Sequence, residues 1–200
     1  MFTCQAGPPG RRLPFSSLVG DGGMLCASAH FPAMPDAPRL RPATADDAQA
    51  ITDIYNVFVA GCTSTWQTEP EAVEKRRAWL SGRRPEHPVF VAELDGRVVG
   101  FGSLSPYSDR GGFRETAEIS LYLAESAQGR GLGTRLMNAL LDSARDTGVL
   151  HLVLARISGD RTASLALHAK AGFTDCGRIP EAGLKFGRRL DLVHMARRVR

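Results

Sequence analysis

With 200 residues, of which 43% are hydrophobic and 23% charged, the chain has the composition of one globular domain and too little length for two large ones. Its formal net charge of +4 is too small and too dispersed to indicate, by itself, a nucleic-acid-binding protein. The four cysteines show no CxxC spacing, and no apolar run approaches the roughly 18 residues of a membrane span. We therefore expect a cytoplasmic protein with no metal site and no membrane or nucleic-acid partner.

Three regions are expected along the chain. Residues 1–37 are rich in glycine and proline and lack any lasting helical or strand period, which predicts a disordered extension, with Met34 as an alternative start. Residues 38–197 should form the domain. Residues 198–200 should form a basic tail, for which solvation is the favoured interpretation and an RNA contact the alternative.

The domain opens with a strand and two helices. A short strand at residues 40–42 precedes Thr44, a hydroxyl N-cap for a helix whose apolar residues are three and four positions apart. A second helix should start near Thr68, with Pro70 in its first turn. The first helix should therefore bury one face.

The rest of the domain alternates strands with helices. Asp95-Gly96 joins two apolar stretches, which predicts a β-hairpin with a two-residue turn. The predicted elements are strands 89–94 and 98–104, strand 116–123, a helix from Leu132 ended by Gly148, strand 149–155, helix 162–170, and a hairpin of strands 174–179 and 189–196. This order predicts an α/β fold, a mixed sheet of about seven strands with about four helices on its faces.

A glycine-rich turn joins the strand at 116–123 to the helix from Leu132. It reads Gln128-Gly129-Arg130-Gly131-Leu132-Gly133. Free backbone N–H groups and the positive end of the helix dipole meet at such a turn, so it can bind an anion. The spacing differs from both GxxxxGK[ST] and GxGxxG, so neither a nucleoside triphosphate nor a dinucleotide is favoured.

This turn resembles the pyrophosphate loop, Q/R-x-x-G-x-G/A, of the GNAT N-acetyltransferase superfamily. Over about residues 40–196 the chain is similar to the phosphinothricin and methionine sulfone/sulfoximine acetyltransferases. Further segments carry this resemblance: Ile54-Tyr55-Asn56, Ser64-Thr65-Trp66-Gln67-Thr68-Glu69-Pro70, Thr116-Ala117-Glu118, Ser164-Leu165-Ala166-Leu167-His168, Ala171-Gly172-Phe173 and Gly183-Leu184-Lys185-Phe186-Gly187-Arg188. The resemblance implies the GNAT acyl-CoA N-acyltransferase fold and direct transfer from acetyl-CoA, a cosubstrate, to the primary amine of a small amino acid or amino-acid analogue. It also allows a homodimer.

The resemblance implies two catalytic residues. Glu118 matches the family's catalytic glutamate and would act as a base, directly or through water. Its alternative is a solvated polar position on a half-buried strand. His168 matches the family's histidine, which assists proton transfer, and a histidine packed at a helix end is an equal alternative.

The resemblance also implies a set of residues that bind acetyl-CoA. They are Leu121, Tyr122 and Leu123 through backbone N–H groups, the loop residues Gln128, Gly129, Arg130, Gly131, Leu132, Gly133 and Thr134, and the helix residues Arg161 and Ser164. Arg161 stands where relatives carry an asparagine, and its charge could meet a phosphate instead. Ala169 replaces the acidic residue that usually follows the histidine.

Binding of the acceptor amine is assigned to the loop at residues 107–114, which resembles the relatives' substrate loop. Arg110 or Arg114 could clamp a carboxylate or phosphinate by two parallel hydrogen bonds. Phe113 stands where tyrosine is more usual. Trp66 is expected beside the same pocket, with a core role favoured. The alternatives are a protein Nα- or lysine acetyltransferase of the same fold, and a non-catalytic acyl-CoA- or RNA-binding domain.

Overall fold

One mixed sheet of seven strands organises residues 37–200, the part of the chain that this computed structural model describes. Almost all of the predicted extension, together with Met34, lies outside the described residues. The strands are β1 Arg39–Pro42, β2 Val89–Leu94, β3 Arg97–Pro106, β4 Thr116–Leu123, β5 Leu152–Ser158, β6 Thr174–Lys185 and β7 Arg188–Arg198. Their order is β1-β2-β3-β4-β5-β7-β6, and only β4 and β5 are parallel neighbours. The predicted α/β fold with a mixed sheet is confirmed.

Within residues 37–200, four α-helices cover the two faces of the sheet: α1 Ala48–Gly61, α2 Val73–Ser81, α3 Leu132–Asp146 and α4 Thr162–Lys170. On one face, Ile51 of α1 and Leu80 of α2 pack in a core with Phe101 of β3. On the other face, Leu140 of α3 packs in a core with Ile119 of β4, and side chains of α4 join it. None of the helices in residues 37–200 is long and apolar enough to cross a membrane.

The first hairpin agrees with its sequence signal. Asp95 and Gly96, which join β2 to β3, have φ values of 50° and 71°. Two consecutive left-handed residues are what a two-residue hairpin turn of type I′ requires, and Asp-Gly adopts them at low cost.

Helix α2 begins later than predicted. The prediction placed Thr68 near the cap and Pro70 in the first turn, but the helix starts at Val73. The side chain of Asn56 in α1 accepts a hydrogen bond from the N–H of Glu71 at 2.8 Å and donates one to its carbonyl oxygen at 3.0 Å. Both backbone groups of Glu71 are therefore used outside a helix, so a contact from another helix overrides the local signal.

Strand β5 lies three residues further along the chain than the predicted strand at 149–155. The N–H groups of His151 and Leu152 both donate to the carbonyl oxygen of Glu115, at 2.8 and 3.2 Å, and pairing with β4 begins only at Leu152. An apolar run does not show where its pairing starts, which is why the predicted bounds were wrong.

The final hairpin is longer than predicted, and the C-terminus is not a solvated tail. Arg198 is still part of β7, and the N–H of Val199 donates to the carbonyl oxygen of His151 at 3.0 Å. Arg200 pairs with Glu115 at 3.3 Å. Arg198 therefore belongs to the sheet, and Val199 and Arg200 contact the residues that precede β5 and β4, which differs from the solvated tail predicted over residues 198–200.

Candidate active site

Strands β4 and β5 are paired only where both begin. The three parallel pairs run from Thr116 opposite Leu152 to Glu118 opposite Leu154. Beyond Glu118, β4 remains paired with β3 up to Leu123, while β5 remains paired with β7. The two parallel neighbours therefore separate in the middle of the sheet, directly after the predicted base.

This separation frees backbone N–H groups of β4. The N–H of Ala124 donates to the carbonyl oxygen of Val99 in β3 at 2.8 Å. Because successive residues of a strand direct their N–H groups to alternate edges, those of Leu121 and Leu123 face the gap toward β5. The N–H of Tyr122 faces β3, so the prediction that it binds acetyl-CoA through its backbone is wrong.

A cavity of about 550 Å³ occupies the gap between the two strands. Residues of β4, β5, α4 and the segment after α1 form its walls. Of the predicted site residues, it is lined by Trp66, Glu118, Leu121, Tyr122, Leu123, Gln128, Gly133, Arg161, Ser164 and His168. The fold thus brings the predicted base, the predicted histidine and part of the predicted acetyl-CoA site to one cavity.

Glu118 is held in an ion pair that the sequence did not predict. The Nε and Nη2 atoms of Arg156 in β5 donate to its two carboxylate oxygens at 2.8 and 2.6 Å. The Glu118 side chain is 18% exposed and that of Arg156 47% exposed. Hydrogen bonding to this carboxylate raises the pKa of the Arg156 guanidinium above its ordinary value, so the guanidinium stays protonated.

Arg156 was missed because the predicted strand ended at Ala155. A signal did exist: a charged residue between Ala155 and Ile157 interrupts an otherwise apolar strand. Charged residues inside such strands are rare unless they are paired. The sequence did not show which carboxylate is the partner.

His168 is buried against the core, with 5% of its surface exposed. Its Nδ1 lies 2.8 Å from the carbonyl oxygen of Ser164, and because a carbonyl only accepts, Nδ1 carries the proton. Burial lowers the pKa of the imidazole, which favours the neutral ring. Its Nε2 then has a free lone pair and no hydrogen-bond partner within residues 37–200. The ring also packs edge-to-face on Phe173, so the structure combines features of both alternatives for this residue.

Aromatic side chains close one side of the cavity. The ring of Tyr122 lies 5.1 Å from that of Tyr55, 5.3 Å from Phe58 and 5.1 Å from Phe101, measured between centroids. Burial raises the pKa of the Tyr122 phenol, which therefore stays protonated at neutral pH. The side chain of Tyr122 thus reaches the cavity although its backbone N–H does not face the gap.

Trp66 forms a wall of the cavity and also packs against the last hairpin. A Cβ atom at Gly183 of β6 would overlap the Trp66 ring, so only glycine fits there. The Nζ of Lys185 donates to the carbonyl oxygens of Cys62 and Thr65, at 2.7 and 2.9 Å. A buried lysine therefore fixes the segment that carries Trp66.

The N-terminus of α3 has the features of an anion site. Gly129 and Gly131 adopt φ values of 72° and 76°, and Gly131 is the N-cap. The first helical hydrogen bond is donated by Arg135, so the N–H groups of Leu132, Gly133 and Thr134 have no acceptor in the helix. Three free N–H groups at the positive end of a helix fit the diphosphate that the loop predicts. The Leu132 side chain is buried in the core, so only its backbone is available.

The predicted acceptor loop lies outside this cavity. Arg110, Phe113 and Arg114 line a second depression, beside the segment that follows α2. Phe113 packs edge-to-face on Tyr107 at 5.2 Å, and Arg114 pairs with Glu115 at 3.3 Å. The loop contains a short 3₁₀ turn at Gly111–Phe113, and its arginines do not line the cavity in this chain.

Comparisons with known proteins agree with this geometry. Residues 51–173 match the family described as "Acetyltransferase (GNAT) family". The chain is 39% identical over 158 residues to the L-methionine sulfoximine/L-methionine sulfone acetyltransferase of Pseudomonas paraeruginosa, covering 78% of this chain and 91% of that protein. It is 34% identical over 160 residues to the phosphinothricin N-acetyltransferase of Streptomyces coelicolor, covering 77% and 92%.

A solved structure supports the same assignment. The structure of yncA from Salmonella typhimurium, determined with its cofactor acetyl-CoA, matches with a TM-score of 0.79 at 37% identity, covering 82% of this chain and 95% of that one. The splayed parallel strands, the glycine-rich helix N-terminus and the matched sequence all lie in the same part of the chain. This chain therefore belongs to the acetyltransferase (GNAT) family.

Proposed function

We propose that this protein transfers the acetyl group of acetyl-CoA to the primary amine of a small amino acid or amino-acid analogue, of the phosphinothricin or methionine sulfone/sulfoximine type. One observation carries the proposal: Glu118 and the N–H groups of Leu121 and Leu123 meet in one cavity at the point where β4 and β5 separate. The acceptor class is supported by the names of the two relatives.

The chemistry requires a base, an oxyanion site and an acid. The amine gives up a proton, its nitrogen forms a bond to the thioester carbonyl carbon, the carbon–sulfur bond breaks, and the thiolate of CoA takes up a proton. Glu118 is the proposed base, and the N–H groups of Leu121 and Leu123 are the proposed donors to the carbonyl oxygen and pantetheine. Neutral His168 can accept a proton through Nε2, and the protonated phenol of Tyr122 can donate one.

The remaining predicted residues would hold acetyl-CoA, which supplies the acetyl group. The N–H groups of Leu132, Gly133 and Thr134 face its diphosphate, and Arg130 adds a positive charge at the rim. Arg161, at the N-terminus of α4, lines the cavity. It stands at the position where the family resemblance expects an asparagine, and its charge fits a phosphate. Ser164 lines the cavity one turn further along this helix.

Two further expectations belong to this proposal. A cytoplasmic location agrees with the free thiols of Cys62 and Cys176. A homodimer is compatible with an acceptor loop that lies outside the cavity of its own chain, because Arg110 and Arg114 would then be available to another surface.

The proposal is tested by release of free CoA from acetyl-CoA with a panel of amines. The panel contains phosphinothricin, methionine sulfone, methionine sulfoximine, lysine-containing peptides and peptides with free N-termini. We expect turnover with the three small acceptors. Turnover only with peptides would favour a protein acetyltransferase, and no turnover combined with strongly salt-dependent RNA binding would favour a non-catalytic domain.

A further inference from the structure

Arg156 lies beside the proposed base and has no part in the reaction as described so far. Glu118 and Leu154 form the last pair between β4 and β5, and Arg156 follows Leu154 by two residues, on the same face of the sheet. Its guanidinium crosses the gap at the point where the strands separate. The ion pair therefore stands at the cavity, and both of its members line the wall.

The contact with Glu118 uses only one edge of the guanidinium. The hydrogen bonds run from Nε and Nη2, which form the side-on edge, at 2.8 and 2.6 Å. A guanidinium has five N–H donors, and the end-on edge formed by Nη1 and Nη2 can bind a second carboxylate by two parallel bonds. Within residues 37–200, the Arg156 side chain makes no hydrogen bond except those to Glu118. With 47% of the side chain exposed, this second edge is accessible to a ligand.

The other arginines considered for the acceptor are elsewhere. Arg110 and Arg114 line the second depression, and Arg161 lies at the N-terminus of α4, where we place acetyl-CoA. Two arginines line the cavity among the described residues, and Arg156 is the one that contacts Glu118. A negative group and a positive group side by side are complementary to a zwitterion.

We propose that Arg156 is the residue that makes this enzyme specific for α-amino acids, by binding the α-carboxylate of the acceptor with its free edge. An α-amino acid carries its ammonium and carboxylate groups on one carbon atom, so both can face the Glu118–Arg156 pair at once. Glu118 then receives the ammonium group, and the carboxylate fixes the orientation of the amine toward the acetyl group. This inference rests on the proposed function and names the recognition element of its acceptor.

The test compares two acceptors that differ only at the α-carboxyl group, which is a negative carboxylate in one and a neutral amide in the other. These are methionine sulfone and its α-carboxamide, each assayed with the wild type and with the Arg156→Gln and Arg156→Lys variants. We expect Arg156→Gln to lower kcat/KM for methionine sulfone by about 100-fold, mainly because KM rises. The same variant should change kcat/KM for the carboxamide by less than about 5-fold. Arg156→Lys should give an intermediate loss, because an ammonium cannot bind a carboxylate through two parallel bonds.

The control is Arg145→Gln, which removes an exposed arginine paired with Asp142 on α3, outside the cavity. This variant should have the same kcat/KM as the wild type for both acceptors. An equal loss for acid and carboxamide in Arg156→Gln would overturn the proposal, because Arg156 would then only position Glu118. Should Arg156→Gln not fold, Arg156→Lys decides by the same comparison. Failure of the proposed function looks different, since the wild type itself would then turn over neither acceptor.

Discussion

The Nδ1 atom of His168 donates a hydrogen bond to the carbonyl oxygen of Ser164, 2.8 Å away and one turn earlier in α4. This bond fixes the ring and leaves Nε2 unprotonated while the imidazole is neutral. Burial lowers the pKa of the His168 imidazole and so keeps the ring neutral. Burial also lowers the pKa of His87. The folded protein therefore opposes protonation of two histidines.

From these two histidines we expect stability to fall with acidification. The unfolded chain binds protons on His168 and His87 near pH 6.5, whereas the folded protein binds them only at lower pH. The free energy of unfolding should thus be constant above about pH 7 and decrease below about pH 6.5, by up to roughly 1.4 kcal/mol per pH unit for each histidine. Urea unfolding between pH 7.5 and 5.5 measures this, and His168→Gln should reduce the slope. An unchanged slope in that variant would contradict the assignment to His168.

Replacing Glu118 by glutamine should remove the base while keeping the shape of the side chain. We expect kcat with the best amine to fall by about 100-fold or more, because general-base catalysis contributes at least this much. The dissociation constant of acetyl-CoA, measured by calorimetry, should change little. The control is Glu74→Gln, an exposed carboxylate on α2, which should keep full activity. Full turnover by Glu118→Gln would show that another group takes the proton.

Gly131→Ala tests the helix N-terminus that we assign to acetyl-CoA. Alanine at a φ of 76° costs about 1–2 kcal/mol in backbone strain, and relief of that strain would turn the free N–H groups away from the cavity. We expect the dissociation constant of acetyl-CoA to rise by about 10-fold. Gly148→Ala is the matched control, because Gly148 follows the other end of α3 with a φ of 63°. It should lose similar stability without weakening acetyl-CoA binding, and equal weakening would refute our assignment.

Lys185→Met should destabilise the wall of the cavity. Lys185 is 3% exposed, and its Nζ donates to carbonyl oxygens of Cys62 and Thr65. Methionine has a similar length but no donor, so these acceptors lose a partner at a cost of about 2 kcal/mol or more. Urea unfolding measures the loss. Lys75→Met, at a surface lysine that pairs with Glu71, should cost less than about 0.5 kcal/mol, and similar losses in both variants would contradict the structural role of Lys185.

The elements that depend on a residue's own conformational preference were predictable. Asp95-Gly96 marks the first hairpin, and Gly129 and Gly131 mark the turn into α3, because in each case the left-handed backbone favours these residues. The start of α2 was not predictable. It depends on Asn56, a residue in another helix, which binds the backbone of Glu71.

The sequence by itself determined the order of the elements, the mixed-sheet fold and the glycine-rich helix N-terminus, since these follow from local periodicity and turn chemistry. Its family resemblance also named Glu118 and His168, which the fold brings to one cavity. Only the tertiary structure decided what surrounds Glu118. Arg156 is 38 positions away and reaches it because of the register of two parallel strands and the place where they separate, and neither property is encoded in a local pattern.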